Sequence, residues 1–387
     1  MLEFPKQILN RETNMIINSN NSHLSLSDLF KSIEDPRKSQ GQLYPFSFLL
    51  NCAQAAILAG AKGFRQIGEW IDAQSYEKLK EMGNLYRRKP DESTLRKCFK
   101  KIKINTFKEL CYKWSADKAL QDGHNTDAIA VDGKTLRGAR NTDYKQPHLL
   151  SAVSHGSGFV LGDHLVPSKK SEVQHIQPFL DNLDIKGKII TADALHTIRD
   201  FGVYLTKRGA DYVFIAKGNK YKLIERLKML EIRNNYTSVY ETKDKIHGRL
   251  ETRRVYLLSE LPWWVWFKSA EQAFIIERKR KYIKTGKIEE ESHFGLTSIL
   301  KEKADAKKIL EIVRGHWTVE NKAFHVRDRT MSEDQSTVRA NILPELMVVF
   351  RNLALNVFRF NKEKNIAKAM RRCALFPGEE LDLLGIS

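Results

Sequence analysis

Near residue 127 the hydrophobic rhythm of the chain changes, and that change limits the folds open to it. Upstream, apolar residues recur at spacings of three and four: Leu49, Leu50, Ala53, Ala56 and Ile57 mark one helix face, and Leu95, Phe99 and Ile102 follow the helix opening Pro90-Asp91-Glu92-Ser93. Downstream the apolar runs are short and extended. AIAVDGKTL reads as a strand, and HLLSAVSHGSGFVLGDHLV as two strands joined at His155-Gly156-Ser157-Gly158. An amphipathic helix, SEVQHIQPFLDNL, leads to the strand KIITADALH, a helix around Thr197 to Arg208 and the strand DYVFIAKGN. Three successive strands followed by alternating helices and strands predict a mixed α/β sheet with helical cover.

This division predicts a poorly ordered, Asn- and Ser-rich lead-in at 1–23 and a helical N-terminal domain at 24–126. A second domain at 127–387 then carries a β-rich insertion at about 240–297, read from TRRVYLL, WWVWF and AFIIERKR. Helical pattern resumes from Lys303. For the tryptophans of WWVWF, packing inside the insertion is the preferred reading over stacking on unpaired bases.

Charge narrows the function. The 65 Lys and Arg outnumber the 47 Asp and Glu, a formal net charge of +18, so a polyanionic partner is expected. The longest nearly uncharged stretch, Tyr44 to Ala61, contains Asn51 and Gln54 and reads as a buried helix, and the N-terminus lacks a signal-peptide core. Nucleic acid rather than a membrane is therefore the expected partner, and the cytoplasm, in association with the nucleoid, the expected location. Cys52, Cys98, Cys111 and Cys373 form no CxxC pair and read as buried thiols. The stretch Arg87 to Lys103, with Arg96 and Lys100, is either a solvated helix face or a DNA contact.

Two strand-like runs lead into an aspartate. Asp132 follows Ile129-Ala130-Val131, and Asp193 follows Ile189-Ile190-Thr191-Ala192. A carboxylate inside or at the end of a buried strand is costly unless paired, and a divalent metal would pair it. The alternatives are a turn-initiating aspartate or a partner for Lys134 at the first position, and a helix N-cap at the second. Glu311, Glu320, Asp328, Glu333 and Asp334 could each supply a third acid. Of these Glu320 shares a predicted helix face with His316, Phe324 and Arg327, at i, i+4, i+8 and i+11. Lys134, Arg137 and Arg140 could reach phosphates around Asp132, and Arg249 and Arg253 of HGRLETRR would share one face of a regular strand.

Taken in order, VDGKTLRGAR, TADALHT, HGRLETRR and RGHWTVENKAFHVRDRTMSEDQSTVR resemble the DDE transposases of bacterial insertion sequences, in the branch of the H-repeat-associated proteins of Rhs elements. The N-terminal DPRKSQGQLYPFSFLLNCAQAAILAGAKGFRQIGEW and PDESTLRKCF are similar to that branch's helical domain, so the resemblance spans roughly Ser32 to Phe360. It implies a ribonuclease H-like core with a β-rich insertion, an activity of cleaving double-stranded DNA at element ends and transferring the strand to target DNA, and two Mg²⁺ or Mn²⁺ ions. Asp132, Asp193 and Glu320 match the family's catalytic, metal-holding acids. DNA contacts are expected from Lys134, Arg137, Arg140, His247, Arg249, Arg253, His316 and Arg327, with Arg96 and Lys100 in the N-terminal domain. Val313, His316 and Arg327 replace the Tyr, Arg and Lys of the superfamily's signature around the glutamate. A homodimer in the synaptic complex is implied by the same resemblance. The alternative is a domesticated or inactive relative that binds DNA without transposing it.

Overall fold

The computed structural model describes residues 24–121, 127–139, 147–246 and 248–386. Arg140, His247 and the lead-in at 1–23 lie outside them. Nine strands form one mixed sheet in the order β3-β2-β1-β4-β5-β9-β8-β7-β6. They are β1 (Ala128–Thr135), β2 (His148–Ser154), β3 (Val160–Val166), β4 (Ile189–Ala192), β5 (Asp211–Ala216), β6 (Ser238–Ile246), β7 (Arg249–Ser259), β8 (Gln272–Tyr282) and β9 (Ile288–Thr297). The first five have the ribonuclease H arrangement: β1 runs parallel to β4 and β4 to β5, while β2 and β3 run antiparallel on the other side of β1.

Helices Glu172–Asp181 and Arg199–Lys207 connect these strands. Ile176, Phe179, Leu180, Phe201 and Leu205 join Ile129, Val131, Ile190 and Phe214 in one apolar cluster against the sheet. That is the burial expected of helices crossing between parallel strands.

The expected insertion is present, but it extends the core sheet rather than standing apart from it. Strand β9 pairs antiparallel with β5, and β8, β7 and β6 continue outward as a meander. Opposite charges face each other across its outer part, with Arg278, Lys279 and Arg280 opposite Glu291, Glu290 and Glu289. WWVWF is not a strand. Trp263–Val265 is a single 3₁₀ turn, and Trp266 sits in the left-handed region at φ 62°.

The N-terminal helices include Phe46–Leu58, Phe64–Ala73, Glu92–Phe99 and Ile104–Gln121. They bury their apolar faces against the C-terminal helix Leu343–Phe360: Phe99 and Phe107 lie 5.8 and 5.9 Å from Phe350, ring centre to ring centre. Phe48, Leu50, Leu346, Val349 and Leu353 belong to one core. All four cysteines are free and buried. Among the described residues no helix is long and apolar enough to cross a membrane.

Candidate active site

The parallel pairing of β1 with β4 sets the geometry. Val131 is the register partner of Ala192, so Asp132 and Asp193 come next on neighbouring strands: Asp132 lies inside β1, which runs on to Thr135, and Asp193 directly follows the end of β4. Parallel strands lie about 4.8 Å apart, and matched positions point to the same face. Asp193 remains extended (φ −67°, ψ 169°) and its carboxylate accepts from the Leu195 amide at 2.8 Å, capping the short turn Ala194–His196. The cap anticipated for Asp193 is therefore real, and it coexists with the strand-end position.

Glu320 arrives from the other side of the molecule. The helix Ala306–Gly315 gives way to π-helical turns at Val319–Phe324 and Val326–Thr330. This segment is pinned to the β2–β3 turn: Thr318 Oγ1 donates to the His155 carbonyl at 2.9 Å, and Lys322 Nζ to that of Gly156 at 2.7 Å. π-Helical turns hydrogen-bond at i→i+5, so the face expected from an α-helical period does not form. His316 turns to β4, Glu320 is exposed, and Phe324 and Arg327 are buried.

Between the acids, Thr191 Oγ1 lies 2.8 Å from His155 Nε2 and 3.0 Å from His316 Nδ1. Burial lowers the pKa of His155 to about 3 and that of His316 to about 4, so both rings are neutral near pH 7. His316 thus presents a neutral ring.

Burial raises the Asp132 pKa to about 6; a hydrogen bond from the Gly133 amide opposes this, and the charges of Asp193, Glu172 and Glu320 add to it. No described Lys or Arg pairs with Asp132, Asp193 or Glu320. Lys134, the alternative partner for Asp132, turns away to Asp328, to Glu333 at 2.8 Å and to Asp334 at 3.7 Å. A buried carboxylate that feels the like charges of two others, none of the three paired with a described Lys or Arg, suits a hard divalent cation, whose preferred ligands are oxygens. The fit is one of charge and donor chemistry. Among the described residues no three His, Cys, Asp or Glu side chains stand close enough to hold one ion, so the three acids do not form a closed coordination shell.

The basic residues divide into two groups. Arg137 is exposed with only a 3.9 Å approach to Asp334, and Lys100 is exposed at the end of the helix Glu92–Phe99. Arg96 is partly engaged, with Glu92 at 2.6 Å and Phe64 under its guanidinium at 5.0 Å. Strand β7 is regular, so Arg249 and Arg253 do share a face, but both are tied to the buried Glu251 between them and Arg253 also to Asp244 at 3.2 Å.

Two expected contacts are corrected. Arg327 is fully buried, donating to Asn352 at 2.9 Å and lying 3.2 Å from Glu333. It and Lys134 neutralise Glu333 inside the protein, and neither reaches a surface where DNA could lie.

Several residues near the site escaped the sequence reading, among them Thr191, His155, Glu172, His148 and His196. His196 stands three residues after Asp193 and was the most accessible signal. Two of the three tryptophans depart from the core-packing expectation as well, Trp263 at 85% and Trp266 at 58% exposed, whereas Trp264 packs against the sheet's apolar cluster. Arg199 and Arg226 lie 5.1 and 4.9 Å from the Trp266 ring centre, over a cavity of about 390 Å³ that Lys220 and Thr197 also line.

Residues 123–357, more than half of the chain, match the family described as Transposase DDE domain, and residues 27–115 match DDE_Tnp_1-associated. The "H repeat-associated putative transposase YhhI" of Escherichia coli (strain K12) is 29% identical over 360 residues, covering 89% of this chain and 93% of that protein. The "H repeat-associated putative transposase YbfD" of the same strain is 30% identical over 236 residues, 59% of this chain and 92% of that protein. A solved structure titled "Cryo-EM structure of piggyBac transposase synaptic complex with hairpin DNA (SNHP)" is similar with a TM-score of 0.44 at 12% identity, over 96% of this chain and 82% of that one. With its ribonuclease H-like sheet and its family match, the chain belongs to the DDE transposases.

Proposed function

We propose that this transposase cleaves DNA at the ends of an insertion sequence and joins the freed 3′ end to target DNA, with Asp132, Asp193 and Glu320 as its catalytic acids. The observation that carries the reading is the placing of Asp132 in β1 beside Asp193 at the end of the parallel β4, with the charge of Glu320 felt at Asp132 and, among the described residues, no Lys or Arg paired to any of the three. These residues would hold Mg²⁺ or Mn²⁺, two ions being the expected number, which would activate the attacking oxygen and stabilise the leaving one. The protein's part is to keep the carboxylates aligned while the DNA backbone is positioned in line. Neutral His155 and His316 fix Thr191 between the strands without adding positive charge that would compete with the metal.

The N-terminal helices at 24–126 are proposed to contribute to duplex binding, with Lys100 and Arg137 among the phosphate contacts. A synaptic homodimer would bring two ends together.

The test is cleavage of a duplex carrying the element end, in Mg²⁺ or Mn²⁺. Glu320→Gln should abolish cleavage while metal-free end binding stays near wild type, because Glu320 is exposed and contributes little to folding. Full cleavage by Glu320→Gln would remove it as the third acid. No cleavage by wild type with matched ends would favour a relative that binds DNA without transposing.

A further inference from the structure

Behind the candidate acids lies a buried cluster that the proposed chemistry does not use. Glu172, the first residue of the helix Glu172–Asp181, is 2% exposed; His148 and His196 are 2% and 1% exposed. The Glu172 carboxylate reaches both rings, with Oε1 2.5 Å from His148 Nε2 and Oε2 3.3 Å from His196 Nε2. Burial alone would raise the pKa of Glu172, but hydrogen bonding and the charges of the two histidines outweigh it and hold the carboxyl at about 2.

Each histidine leads to one candidate acid. His148 opens β2 opposite Thr135 of β1, with its Nδ1 3.1 Å from Thr135 Oγ1. His196 ends the turn that Asp193 caps, and its amide donates to the Asp193 carbonyl at 3.0 Å. Glu172 also explains the glycine after Asp132. A methyl group at Gly133 would lie 2.3 Å from His148 Nε2 and 2.7 Å from Glu172 Oε1, so no side chain fits there.

A buried carboxylate between two imidazoles is a poor choice for stability alone, since apolar groups of similar volume serve as well or better. Its contacts with His148, opposite the end of β1, and with His196, in the turn that Asp193 caps, give it a different use. We propose that Glu172 is a positioning residue, which ties the Asp193 turn through His196, and the Asp132 strand through His148 and the close fit at Gly133, into the spacing at which the two aspartates share metal. The consequence for metal rests on the reading of Asp132 and Asp193 as metal-holding acids; the tie itself does not.

The experiment uses the full chain and Glu172→Gln, which keeps size but removes charge. Hydrogen exchange is measured first, without metal. Amides at 191–197 and 130–135 should exchange at least about tenfold faster in the variant, while β5 and Leu343–Phe360 stay as in wild type. Affinity for Mn²⁺, followed by water-proton relaxation, and single-turnover cleavage should each fall about 10- to 100-fold, with metal-free duplex affinity within about twofold. Glu172→Asp, which keeps the charge, should recover part of the loss.

Unchanged exchange at both segments overturns the proposal, and so does acceleration spread over the whole sheet, which would mark general damage. Wild-type Mn²⁺ affinity in a loosened variant overturns the link to metal. If wild type binds Mn²⁺ but cleaves nothing, the transposition reading falls while exchange and Mn²⁺ affinity still decide the tie. Should Glu172→Gln fail to fold, His196→Gln replaces it, with acceleration expected at 191–197 alone and unchanged exchange there again overturning the proposal.

Discussion

Asp132 bears the tension between folding and chemistry most directly. Its folded pKa of about 6 lies above the ordinary 3.8, through burial first and then the like charges of Asp193, Glu172 and Glu320. A group shifted in this direction favours the fold when protonated; that contribution is present below pH 3.8 and is lost as pH rises through 6. At neutral pH the ionised carboxylate therefore costs stability. Asp132→Asn should raise the metal-free melting temperature by a few degrees at pH 7.5 and leave it nearly unchanged at pH 4. Mn²⁺ should stabilise wild type and do much less for the variant. A scanning-calorimetry series in chelator and in Mn²⁺ checks this, and a lower melting temperature for Asp132→Asn at pH 7.5 would contradict the arrangement described.

Among the elements, the segment after Gly315 departs furthest from its sequence pattern. As one continuous α-helix it would place Glu333 on an exposed face remote from Glu320. Instead Ser332 enters the left-handed region at φ 53°, and Glu333 turns inward to Lys134 at 2.8 Å, Arg327 at 3.2 Å and Arg351 at 3.7 Å. Lys134 stands two residues after Asp132 on β1, so this buried network fastens the Glu320-bearing segment to the strand that carries the first acid. Burial would raise the Glu333 pKa, yet Arg327, Lys134 and Arg351 outweigh it and hold it at about 2. The stabilisation is therefore present above pH 4.5 and lost as pH falls through 2, and is worth about 3 kcal/mol. Glu333→Gln would leave buried cations uncompensated and should cost about 3–5 kcal/mol at pH 7, with little cost remaining near pH 2. Urea denaturation across that range measures both ends, and a cost that does not shrink toward pH 2 would mean the network is not electrostatic.

For the whole molecule, the change of rhythm near residue 127 does not mark a boundary between two independent cores. Beyond the shared apolar cluster, Lys108 lies 2.8 Å from Asp163 of β3 and 2.7 Å from Glu345, and Gln54 donates to the Phe350 carbonyl at 3.2 Å. A fragment starting at residue 127 would expose the apolar face of Leu343–Phe360 and should aggregate, visible as insolubility or loss of a cooperative melt. DNA affinity is better dissected in the full chain. The charge of +18 predicts a steep fall with salt, at about −0.9 in log–log slope for each neutralised phosphate. Lys100→Ala and Arg137→Ala should each flatten that slope by about one. Arg327, having no surface to offer, is not among these contacts; a salt slope unchanged in both exposed variants would place the duplex elsewhere.

The sequence by itself determined the periodicity of each segment and the order of the first five strands, because alternation of side chains and helical spacing are local properties of the chain. It also singled out Asp132 and Asp193 as acids that follow β-type runs, since an aspartate after Ile-Ala-Val or Ile-Ile-Thr-Ala stands out within a few residues. Gly133, His148, Glu172 and His196 were beyond that reach, as were Thr191 between two neutral histidines and Lys134 committed to Glu333. Each depends on residues far apart in sequence meeting across the sheet. The tertiary structure alone decided which cations are spent in the interior and which face solvent, because a charge is neutralised by what packs against it in space and not by its neighbours along the chain.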